Sequence, residues 1–181
     1  SMATISGYKA VLIAADALII PQEVKDAVVA RVSQELKLPR EQMYFGATHT
    51  HASLGGWGEG FVAESFAGAY LPGARAWFAD CLFRAIRDAF GDLKPGAFGR
   101  GGFMDPSHVR NRLVGELGKV DPECAFLCFR RDDGSNAVVG TYAAHATVLS
   151  SRNMEVSADY PGAGQRATEQ GMGGMAVFFA G

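Results

Sequence analysis

Two short apolar runs separated by one amphipathic helix constrain this chain most. Tyr8 to Ala15 (YKAVLIAA) and Met43 to Ala47 (MYFGA) read as buried strands. Between them Val24, Ala27, Val28, Val32 and Leu36 recur at helical spacing, and they predict a helix over about 21–37. Pro21 suits its first turn and Pro39 lies beyond its end. A strand, a helix and a strand within about 40 residues form a βαβ unit, which requires a parallel pair and a right-handed crossover. Further on, helical patterning runs from about Phe61, breaks at Pro72-Gly73 and resumes to about Phe90. Its buried face is predicted to hold Trp77, Phe78, Cys81, Leu82, Ala85, Ile86 and Ala89. Ala97 to Phe103, Cys124 to Arg130, Ala137 to Ala144 and Met175 to Ala180 are the remaining strand candidates. Asp132 to Ser135 is a hairpin turn, and a short helix is expected near Gln165–Gln170. The expected fold is α/β: a mixed, mainly parallel sheet with flanking helices and a β-hairpin, forming one domain over 3–181.

Composition excludes several classes. The 181 residues carry 17 basic and 19 acidic side chains, so no cationic surplus exists to neutralise nucleic-acid phosphates. No apolar run reaches about 18 residues, so no membrane span is predicted. Three cysteines are an odd number, and Cys124 and Cys128 lie too far apart along one strand to bridge. All three cysteines are expected to be buried apolar residues.

The chemistry concentrates at strand ends, where α/β sheets place their ligand sites. Thr48 to Gly60 (THTHASLGGWGEG) begins where the second strand stops. His49 and His51 stand at i and i+2, which on an extended backbone face the same way. Two such imidazoles can share a metal, or one can ligate while the other handles a proton. The rival reading is a hydrogen-bonded loop pair with no chemistry. His145 closes another apolar run, either as a ligand or as a satisfied core histidine. His108 is expected to be exposed. Arg110 and Arg112 can grip an oxyanion through the planar guanidinium or remain solvated. Asp16 and Asp159 are candidate carboxylates for the outer N–H of a ligating histidine, or else turn and cap residues.

These residues carry a resemblance. Gly46-Ala47-Thr48-His49-Thr50-His51 followed by Gly55-Gly56 resembles the zinc-site segment of the neutral (non-lysosomal, alkaline) ceramidase family, T-H-T-H-S-G-P-G-G. Asn111-Arg112 matches the family's N-R dipeptide. Ala144-His145-Ala146-Thr147 and Ser157-Ala158-Asp159-Tyr160-Pro161-Gly162 match its later blocks in order. The resemblance implies an α/β catalytic domain of a zinc amidohydrolase that cleaves a ceramide-like lipid amide. It implies His49 and His145 as zinc ligands, His51 beside the metal, and Arg112 near the reacting amide. Ala52-Ser53-Leu54 departs from S-G-P and alters the flanking loop. The family completes its zinc shell with a Glu and a Tyr, and carries its nucleophile, beyond the position matching Gly181. The chain is therefore expected to be an incomplete part of a larger catalytic domain, inactive alone, and able to pair with a second copy through an exposed strand edge such as Met175–Ala180. A zinc hydrolase of another amide or ester, and a non-catalytic α/β module, are the alternatives.

Overall fold

The computed structural model describes residues 2–5, 8–150 and 152–181. The βαβ unit forms as expected. Strand β2 (Tyr8–Ala15) pairs in parallel with β3 (Met43–Ala47) across helix α1 (Gln22–Leu36), and β1 (Met2–Ile5) adds an antiparallel edge. Val24, Val28 and Val32 of α1 are fully buried against Val11, Ile13 and Ala15 of β2. Pro21 stands just outside α1 as its N-cap residue, and Lys37 closes the helix in the left-handed region, φ 56°. Helix α2 (Phe61–Ala67) and helix α3 (Pro72–Gly91) flank the predicted break, with Pro72 in the first turn of α3.

The buried face of α3 is Phe78, Ala79, Leu82, Phe83 and Ile86. It is rotated from the expected one: Trp77 is 58% exposed and Ala85 is exposed, while Cys81 and Ala89 are half-buried. Contact with α1 sets this rotation. The Arg31 guanidinium stacks on the Phe83 ring at 3.8 Å and bonds Asp80 at 2.9 Å, which turns Phe83 inward.

A second sheet holds β4 (Gly96–Met104), β5 (Glu123–Arg131), β6 (Asn136–Tyr142) and β7 (Gly174–Ala180), in that order. β4 pairs antiparallel with β5, and β5 with β6 through the predicted turn, whose Gly134 has φ 85°. Helix α4 (Asp159–Met172) carries the chain over to β7, which runs parallel to β6. Within this α/β fold the parallel share is smaller than the sequence predicts. Parallel pairs arise only where a helix lies between the strands, at β2–β3 and β6–β7; the other three described pairings are antiparallel. The cysteines are free, and all three are half-buried rather than buried. No helix among the described residues is long and apolar enough to cross a membrane.

The two sheets meet where β7 lies against β3. The buried Phe179 ring sits 5.5 Å from the Tyr44 ring and fills the space over Gly46, where a Cβ would overlap it. Gly46 therefore sets how closely the sheets approach. β7 is thus packed on its β3 side, and the strand exposed along its whole length is β4 at the opposite edge.

Candidate metal centre

Because β2 and β3 are parallel, both end at the same side of the sheet. Thr48 N–H donates to the Ala15 carbonyl at 2.9 Å and extends the ladder by one rung. The backbone then turns: His49 adopts φ 59°, in the left-handed region. The extended geometry expected for His49-x-His51 is thus replaced by a kink, yet the two rings still meet, with centroids 5.2 Å apart. Thr48 and Thr50 point inward and are buried, while the histidines between and after them point to the site. The Thr50 hydroxyl donates to the Ser157 carbonyl at 2.7 Å and accepts from Ala52 N–H at 3.2 Å. Ser157 N–H in turn bonds the Ala52 carbonyl at 2.7 Å. These bonds fasten the His49–His51 turn to the segment that follows His145.

His145 lies three residues past β6, which ends at Tyr142 instead of reaching Ala144 as the sequence suggests. The Tyr160 hydroxyl donates to the carbonyl of Ala144 at 2.6 Å. The Asp159 carboxylate accepts from Val148, Leu149 and Tyr160 N–H. Asp159 therefore spends its oxygens on backbone amides and holds the loop after His145, rather than serving as a histidine's carboxylate partner. Its charge still acts on His51, raising that imidazole's affinity for a proton. Asp16 makes no described bond to a histidine either. Although much of it is exposed, desolvation raises its pKa, opposed by a hydrogen bond from Thr48.

The outcome is a triad. The His145 ring lies 4.8 Å from His49 and 5.0 Å from His51, and one nitrogen from each imidazole lies within 4.8 Å of the others. His49 Nδ1 sits 2.8 Å from the Leu18 carbonyl. A carbonyl only accepts, so Nδ1 carries the hydrogen and Nε2 keeps its lone pair. His145 Nε2 is buried without a hydrogen-bond partner among the described residues. Such an orphan costs about 1–3 kcal/mol, and a cation between the three rings would satisfy it. Imidazole nitrogens serve both as zinc ligands and as proton carriers, so the donor chemistry of the triad fits a catalytic zinc site.

Desolvation and nearby charge lower the pKa of His145 and His51. Desolvation lowers the His145 pKa, and the Arg112 guanidinium and the two other imidazoles push it further. His51 is lowered likewise, chiefly by desolvation, then by His49 and Arg112. Arg112 is exposed on the 105–122 loop, near enough for its charge to reach both rings. Asn111 shapes that loop, its side chain accepting from Leu113 and Val114 N–H and donating to the Lys119 carbonyl. His108 is exposed, as expected, and pairs with Asp105 at 2.7 Å. The sequence reading missed the braces Thr48, Thr50 and Tyr160. The alternation of threonine with histidine was the available signal, since two inward hydroxyls imply two outward imidazoles.

Two predictions arise here. Without metal, the folded chain holds His145 neutral below the ordinary pKa of about 6.5, whereas the unfolded chain protonates there. The unfolded state then binds more protons, so stability is lost as pH falls from about 6.5 through the lowered folded pKa. Thermal melts of the metal-free chain between pH 8 and 5 should show this acid loss, and His145→Gln should flatten it. Separately, Thr50→Val strips the Ser157 carbonyl and Ala52 N–H of a buried partner. Denaturant unfolding should report a loss of about 1–3 kcal/mol.

The neutral/alkaline non-lysosomal ceramidase, N-terminal, family model matches residues 2–178. The chain belongs to this family. A crystal structure of neutral ceramidase from Pseudomonas aeruginosa superimposes with a TM-score of 0.84 at 24% identity, covering 97% of this chain and 30% of that one. A ceramidase complexed with C2 gives 0.82 at 23% identity, with the same coverage. At these identities the likeness is one of fold. The chain spans about 30% of the length of both solved proteins. No curated protein sequence matches it.

Proposed function

We propose that this chain carries the histidine portion of a zinc-dependent amide hydrolase acting on ceramide-like lipid amides. The observation that carries the reading is the convergence of His49, His51 and His145, with the buried His145 Nε2 lacking a partner among the described residues. Family membership supports the amide-hydrolase class. His49 and His145 would hold the metal, each having an Nε2 that makes no described hydrogen bond. When bound, zinc polarises a carbonyl oxygen and lowers the pKa of a coordinated water. His51, exposed and with its pKa held down, stands ready to take a proton at neutral pH and return it to the leaving amine. Arg112 offers fixed positive charge and forked donors to the oxygen that gains charge in the transition state.

The complete apparatus belongs to a protein of the length of the solved ceramidases. The 181-residue chain alone is expected to bind zinc weakly and to leave ceramide intact. If it pairs with a second copy, β4, at the end of its sheet and exposed along its length, offers one strand edge for it. The test is zinc content and ceramide hydrolysis, measured on this chain and on the longer protein. A longer protein that contains no zinc, or is fully active without it, would refute the reading.

A further inference from the structure

Two tyrosine hydroxyls end on backbone that flanks the histidine triad. Tyr142, the last residue of β6, is buried, and its hydroxyl donates to the Asp105 carbonyl at 2.6 Å. Tyr160, in the first turn of α4, donates to the Ala144 carbonyl, also at 2.6 Å. The two rings meet edge to face with centroids 6.5 Å apart, and Tyr160 stands edge-on to Phe178 of β7 at 5.7 Å. Burial above all pushes both phenols up, so each keeps its proton and remains a donor.

Both acceptors lie just past strand ends, where the ladder no longer supplies a partner. Asp105 follows β4 and is the root of the loop that carries Arg112. Its N–H donates to the Pro122 carbonyl at 2.8 Å and closes the two ends of that loop. Its carboxylate accepts from Ser107 N–H and His108 Nδ1. With Tyr142 on its carbonyl, every polar group of Asp105 is engaged, and the loop is tied to the residue that ends β6. Ala144 precedes His145. Its carbonyl shares a peptide plane with the His145 N–H, so the Tyr160 bond fixes the plane from which the imidazole departs.

We infer that Tyr142 and Tyr160 are a pair of positioning residues: Tyr160 sets the His145 imidazole, and Tyr142 sets the Arg112 loop against it. The inference rests on the reading above for the work of His145 and Arg112, and goes past it to the residues behind them. Ring packing alone does not need the hydroxyls, since phenylalanine would fill the same space. The hydroxyls tie down two irregular segments, and the charge of Arg112 already reaches His145 across the gap between them.

Tyr160→Phe and Tyr142→Phe delete one oxygen each and keep the rings. Ser33→Ala is the control, because it removes a comparable bond, to the Leu38 carbonyl at 2.9 Å, at the C-terminal end of α1. NMR spectra of the metal-free 181-residue chain read position directly. Tyr160→Phe should shift or broaden the His145 ring resonances and leave the Leu113 and Val114 amides, beside Arg112, in place. Tyr142→Phe should move those amides and leave the ring. Ser33→Ala should move neither. In the longer protein, Tyr160→Phe should weaken zinc binding about tenfold, the worth of one hydrogen bond, and alter the absorption spectrum of bound Co(II). Tyr142→Phe should keep the zinc affinity and lower kcat about tenfold at unchanged KM, because Arg112 acts on charge that develops in the transition state. A longer protein without zinc would end the metal reading, and the resonances would still decide the positioning. Unmoved His145 resonances in Tyr160→Phe, unmoved loop amides in Tyr142→Phe, or equal shifts in Ser33→Ala would overturn it.

Discussion

In the longer protein, His49→Ala and His145→Ala are each expected to weaken zinc binding by roughly 10²–10³-fold. A structural zinc site with four ligands is worth about 10–16 kcal/mol at neutral pH, so an even share is about 3 or 4 kcal/mol per ligand. The two histidines come from opposite halves of the chain, yet each supplies a nitrogen within 4.8 Å of the others. His49 is oriented by the Leu18 carbonyl, and His145 presents a buried nitrogen with no other partner among the described residues. Titration against a chelating dye reads the affinity. His51→Ala should keep most of the metal and, in the longer protein, lower turnover by roughly 10²–10⁴-fold, the share of acid–base catalysis. Equal metal loss in all three variants would make His51 a third ligand and move proton transfer elsewhere. Unchanged affinity in all three would remove the metal from the site.

Phe179→Ala is expected to cost about 3–5 kcal/mol, the range for deleting a buried phenylalanine ring. The ring is 7% exposed and is the contact between β7 and β3. Gly46→Val should act in the opposite sense, forcing a side chain into the space the ring occupies, at a cost of about 1–3 kcal/mol or more. Both changes reach the metal centre indirectly. β3 leads directly into His49, and β7 pairs with β6, whose end leads to His145. Loosening or wedging the β3–β7 contact therefore separates the ligands, and zinc affinity should fall together with stability. Denaturant unfolding and zinc titration on the same variants check this. A stability loss with unchanged zinc affinity would show that the Thr50–Ser157–Ala52 bonds alone hold the triad.

The elements at the start of the chain were legible because periodicity alone specifies them. YKAVLIAA and MYFGA are too short and too apolar for exposed structure, and the valines of α1 mark one face. The parallel pairing of β2 and β3 follows from the helix between them. The rotation of α3 was not legible, because helical spacing leaves neighbouring stripes nearly equivalent. The stripe through Trp77 and Cys81 competes with one through Ala79 and Phe83. The contact of Arg31 with Phe83 and Asp80 decides between them, and those residues are 52 and 49 positions apart.

The site divides in the same way. By itself the sequence determined which side chains could do chemistry: a histidine pair at a strand end, a third histidine after another apolar run, and an arginine in a polar loop. Local patterning and residue chemistry carry that much, and the family resemblance rests on the same residues. Only the tertiary structure decided that the three imidazoles meet, that His49 reaches the others through a left-handed kink, and that Asp159 holds a loop instead of a histidine. The physical reason is that convergence depends on long-range terms. The Phe179 ring over Gly46 sets the spacing of the sheets, and the Thr50 to Ser157 bond spans 107 residues. Neither leaves a periodic trace in the sequence.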